Sequence, residues 1–165
     1  MRQAVVLCVA LFAFCGVSAQ TPDTSWIDHG RALLSYDKKL STLENDLIDL
    51  VSKLSCDDQF ICIGLERDVE LTRHRIKTSM IISLMYREGT DQGAKFPRNQ
   101  GEIVRDYVDT QISLGNKAEL NKKMLASVKN PYLAQLGVEG IRIIEGSKEE
   151  IEKLYKAVRA PTGLF

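Results

Sequence analysis

The sequence predicts an all-α fold: a long antiparallel helical hairpin with shorter C-terminal helices packed on it, bundle-like. Three observations predict it. From Trp26 to Leu54 the residues Trp26, His29, Leu33, Tyr36, Leu40, Leu43, Leu47, Leu50 and Leu54 recur at steps of three and four, and only His29 is not large and apolar or aromatic. That spacing is the buried seam of a helix lying along another helix. A second stretch, Ile61 to Leu84, repeats the period over a matching length after a short turn. Beyond residue 89, Gly and Pro divide the chain into shorter periodic pieces.

The chain opens with Arg2, an almost unbroken apolar run from Ala4 to Val17, and the short side chains Val17-Ser18-Ala19. This reads as a secretory signal peptide, residues 1–19, cut near Ala19/Gln20. The run is shorter than the roughly 20 residues that a bilayer-spanning helix needs. Residues 20–165 are then one helical domain, expected to be secreted and extracellular, with no membrane span. Loss of Arg2 leaves 21 basic residues against 22 acidic, and loss of Cys8 and Cys15 leaves two cysteines. A charge so close to zero gives no reason to propose nucleic acid as a partner.

The first helix starts near Asp23 to Ser25, with Thr24 or Ser25 as its cap. Ile27, Leu34, Ile48 and Val51 lie beside the seam and widen its apolar face. A face this wide predicts burial against more than one partner. The turn that follows carries Cys56 and Cys62, the only cysteines left after cleavage. In a secreted chain this pair reads as a disulfide stapling the hairpin. Asp57 and Asp58 are placed to cap the second helix. Its stripe is Ile61, Leu65, Val69, Thr72, Ile76, Met80, Ser83 and Leu84, and it ends near Arg87 or Glu88. The hairpin thus covers 24–88, with residue i level with residue 118 − i.

Gly89 to Arg98 reads as a loop, and residues 99–160 as the shorter C-terminal helices. The first has Ile103, Val104, Tyr107, Val108 and Ile112 inward. Gly115-Asn116 interrupts it, and Asn116 with Glu119 resembles a capping box before Leu120, Met124, Leu125 and Val128. Asn130-Pro131 starts a short helix through Gln135, with Pro131 in its first position. Residues 137–146, with three glycines, read either as an irregular buried crossing or as one strand. Ser147 to Glu150 is a second capping box, opening a last helix with Ile151, Leu154, Tyr155 and Val158 inward and Ala160-Pro161 at its end.

Chemistry is harder to find. His29 and His74 fall more than about 15 Å apart on antiparallel rods, too far to share a metal or to act as a catalytic pair. A nucleophile elbow, a phosphate-binding glycine loop, a zinc-binding H-E-x-x-H and a calcium loop are all missing from the sequence. No catalytic residue, cofactor or metal ligand is assigned. Interest falls on the open end of the hairpin, away from the turn. Met80 to Tyr86 is apolar nearly all round and lies level with Trp26, Ile27, Leu33, Leu34 and Tyr36. The C-terminal helices cover this surface, or part of it forms a ligand or partner site with Trp26, Ile81, Met85 and Tyr86 as candidates. The expected function is that of a secreted non-enzymatic protein that binds another macromolecule, its partner a protein. The alternative is a carrier of a small hydrophobic molecule or lipid.

Overall fold

The computed structural model describes residues 25–91 and 99–159, without the side chains of 88–91, 99–103 and 159. The predicted signal peptide, the end of the predicted loop and Ala160-Pro161 lie outside the described residues. Four helices form: α1 (Ser25–Val51), α2 (Cys56–Asp91), α3 (Asn99–Leu125) and α4 (Pro131–Arg159). The described residues contain no strand.

Packed neighbours fix the topology. Cys62 reaches Leu47, and Arg73 reaches Asp37 and Glu44, so α1 and α2 run antiparallel. The pairs sum to between 109 and 117, up to about two and a half turns tighter than the register of 118 expected from the sequence. Lys117 on Asp68 and Arg75 on Asp106 set α3 antiparallel to α2. Tyr107 packs on Tyr155 at 5.1 Å, and His29 meets Glu150, so α4 runs antiparallel to both α3 and α1. The result is an up-down-up-down bundle. Its cross-section is a rhombus: α2 and α4 touch across the short diagonal, whereas α1 and α3 do not meet.

The seam of α1 is the core. Leu33, Leu40 and Leu47 are fully buried, and Leu43, Leu50 and Leu54 nearly so. They pack with Leu65, Val69 and Ile76 of α2 and with Leu133, Ile144, Ile151 and Leu154 of α4. The widened face behaves differently. Leu34 and Ile48 are more than half exposed and form an outer wall, whereas Ile27 and Val51 are half-buried and Val51 packs against the core.

The C-terminal half corrects the sequence reading. It holds two helices as long as α1, in place of four shorter elements. Asn130 does cap α4, its Oδ1 accepting from the backbone N–H groups of Tyr132 and Leu133 at 2.9 and 3.0 Å, with Pro131 first in the helix. That helix then runs straight through residues 137–146. Its glycines mark close contacts and not breaks. A Cβ on Gly140 would stand 3.3 Å from Leu43 and 3.4 Å from Leu65, and one on Gly146 would stand 2.7 Å from the Tyr36 hydroxyl. Ser147 is buried within α4 and donates to the Ile144 carbonyl at 2.8 Å, so it caps nothing.

The disulfide expectation is also corrected. Cys56 and Cys62 are free thiols, one exposed and one buried. Helix α2 begins at Cys56 itself, so both cysteines stand on one helix, six residues and about 9 Å of rise apart. A disulfide needs Cα atoms within about 7 Å and converging side chains. The turn is held by other means. Asp58 is buried and accepts from the backbone N–H groups of Lys129 and Asn130 at 3.1 and 3.0 Å, tying the α1–α2 turn to the α3–α4 turn.

Helix α3 is docked by a more polar seam. Thr110 and Asn121 are both buried, and neither Thr110 Oγ1 nor the Asn121 amide atoms have a hydrogen-bond partner. An unsatisfied buried amide costs about 1–3 kcal/mol. Asn121→Leu, similar in size and apolar, is therefore expected to stabilise the bundle by about 1–2 kcal/mol in urea titration.

Candidate functional site

At the open end an apolar groove runs between α1 and α2. Trp26, Ile27, Gly30, Arg31 and Leu34 form one wall, Met80, Ile81, Ser83 and Leu84 the other, and Leu154 of α4 lies at its base. Its volume is about 430 Å³ and it opens to solvent along its length. The groove follows from the two apolar sets of α1. The seam turns Leu33 inward, which leaves Ile27 and Leu34 on the outer edge of the α1–α2 interface. Opposite them, Ile81 is 58% and Leu84 43% exposed. Gly30 contributes no side chain, and a Cβ placed there would meet nothing within 4 Å.

Charge closes the groove toward the turn. Arg73 bridges the helices, its Nε donating to Asp37 at 3.0 Å and its Nη1 to Glu44. Burial works against the charge on Arg73, but the hydrogen bonds to Asp37 and Glu44 outweigh it and hold the guanidinium above its ordinary range. Lys77 stands 3.8 Å from the same Asp37. On the rim, Arg31 pairs with Asp28 at 3.0 Å, and both are largely exposed. On the far side of α1, His29 Nδ1 lies 2.6 Å from Glu150, half-buried between α1 and α4. His74 is exposed on α2.

The four candidate residues fall in different places. Trp26 is half-buried and Ile81 exposed, and both line the groove. Met85 is 65% exposed but stands outside the lining. Tyr86 is buried in the core, so its side chain offers no surface. Gly30, Arg31, Ser83 and Leu154 were not singled out from the sequence. Gly30 had a signal: it is the only glycine in an otherwise unbroken first helix.

Two other cavities lie among the described residues. One between α1 and α2 near the turn, about 80 Å³, is lined by Ile48, Cys62 and Ile63 among others. The Cys62 thiol there is pushed up by burial and by Glu66. Another, between α1 and α4, is lined by Lys39, Thr42, Leu43, Asp46 and Glu139. Among the described residues no cluster of three or more His, Cys, Asp or Glu side chains could hold a metal, and no helix is long and apolar enough to cross a membrane.

Inside the bundle, beside the groove, Tyr155 donates to Asp106 at 3.0 Å. Burial first, then the Asp106 charge, pushes the Tyr155 phenol well above its ordinary value of 10.0. The unfolded chain loses this proton near pH 10, whereas the folded chain keeps it. Above that pH the folded state binds more protons, so stability falls as pH rises. Tyr155→Phe is expected to flatten that alkaline loss, measured as melting temperature between about pH 9 and 11.

No protein-family model, curated protein or solved structure matches the chain.

Proposed function

We propose that this is a secreted, non-enzymatic protein that acts by binding another macromolecule at the open-end groove. The observation that carries the reading is the state of Leu34, Ile81 and Leu84. These large apolar side chains stand 43–58% exposed around one continuous trough. Contiguous exposed apolar surface on a folded chain marks an interaction site more often than it marks nothing. Secretion rests on the N-terminal apolar run and its small-residue site.

Two observations favour the alternative, a carrier of a small hydrophobic ligand. The volume suits such a ligand, and Ser83 Oγ is buried in the wall without a hydrogen-bond partner. Native mass spectrometry of the secreted protein separates the two. A complex with a second protein is expected, on a chain that begins at or near Gln20. A retained lipid mass would favour the carrier, and an intact Met1 would remove the secretion reading.

A further inference from the structure

We infer that the occupant of the groove is an amphipathic helix of a partner protein, packed across Gly30 with acidic side chains turned toward Arg31, Lys38 and Lys77. This rests on the groove reading above and goes further, to the kind of surface that fits. The first observation is Gly30. Glycine is the poorest helix former after proline, so a glycine inside a long helix calls for a reason. Gly64, Gly115, Gly137, Gly140 and Gly146 each have a neighbour within 4 Å of the place where a Cβ would stand. Gly30 has none, and it lines the groove. Nothing among the described residues uses the space that its missing side chain leaves. A second backbone approaching α1 would use it, as small residues do where helices cross closely.

The second observation is shape. The groove is an open trough between two antiparallel helices, walled by Leu34 on one side and Ile81 and Leu84 on the other. An acyl chain laid in it would stay wet along one side. A helix fills such a trough by seating its ridge between the two walls, its anchors at i, i+3, i+4 and i+7.

The third observation is charge. Lys38 follows Leu34 by one turn on α1, and Lys77 precedes Ile81 by one turn on α2, so the two stand at the same end of the groove. Both are exposed. Lys38 has no carboxylate partner among the described residues. Lys77 has only Asp37, which is already engaged by Arg73. Arg31 adds a third cation on the rim, with Asp28 the one exposed acid beside it. Arg31 is balanced by Asp28, and Arg73 with Lys77 by Asp37 with Glu44, so the excess among these groups is the one positive charge of Lys38, which complements acidic flanks on the incoming helix.

The test uses the mature full-length chain and Trp26 emission, since Trp26 lines the groove. The probes are two synthetic amphipathic peptides of about 20 residues, leucine on one face, with glutamate flanks in one and lysine flanks in the other. Palmitate is the third probe. The expected result is saturable binding of the glutamate peptide, at least about tenfold tighter than the lysine peptide. Gly30→Ala should raise the melting temperature of the free protein and yet weaken the glutamate peptide by a similar factor. Equal binding of both peptides, or Gly30→Ala without effect on binding, overturns the helix-on-Gly30 inference and leaves the groove as a site. Binding of palmitate alone overturns the inference together with the macromolecular reading, in favour of the carrier. If no probe changes Trp26 emission, both the inference and the groove reading fail.

Discussion

Leu43→Ala and Leu47→Ala are each expected to destabilise the bundle by about 2–5 kcal/mol, the usual loss for a leucine emptied from a packed core. Both side chains are at most 3% exposed. Leu43 packs against α4, 3.3 Å from the position of a Gly140 Cβ, so its loss opens a void between α1 and α4. The backbone of Leu47 accepts from the Cys62 thiol at 3.4 Å, in the packed layer between α1 and α2. The contrast with Leu34 sharpens the test. It belongs to the same helix but is 56% exposed, so Leu34→Ala should change stability by less than about 1 kcal/mol. Urea denaturation of the three variants checks the division. Equal losses at Leu34 and Leu47 would mean that the groove is not open.

Asp58→Ala has the second large effect, a loss of about 2–4 kcal/mol. The Asp58 carboxylate is 3% exposed and is the acceptor for two backbone N–H groups of the α3–α4 turn. Its removal strands both donors at a part-buried site, and hydrogen bonds to a charged group are worth about 1.5–3 kcal/mol each. The loss should be accompanied by faster amide exchange at Lys129 and Asn130, while amides at the far end of α3 are unchanged. Cys56→Ser, by contrast, should leave stability nearly unaltered, because the thiol is exposed and crosslinks nothing.

The hairpin was legible because its signal is period alone. Leucines at steps of three and four along α1 need no tertiary context to be read. The C-terminal half was less so, because the same residue types carry opposite meanings. Gly137, Gly140 and Gly146 look like breaks in a sequence, and in the fold they admit Leu125, Leu43 and Tyr36 against α4. Ser147 with Glu150 looks like a start signal, yet a buried serine can satisfy its hydroxyl on the preceding turn. The cysteine pair misleads because its short spacing suits a turn, whereas both cysteines stand on one helix. At the open end the apolar run marked the right region but not its surface. Period predicts which face of a helix turns inward only when the neighbour's position is known, so Ile81 and the buried Tyr86 looked equally available.

The measurement that tests the central claim most directly is site-specific photocrosslinking in cells that express the protein and in their medium. A photoreactive residue replaces Ile81 in the groove in one variant, and the exposed Asp49 near the turn in another. The account predicts one discrete protein adduct from position 81, none from position 49, and loss of that adduct when Leu34→Asp is added without loss of fold. No protein adduct from position 81, or the same adducts from both positions, would contradict it.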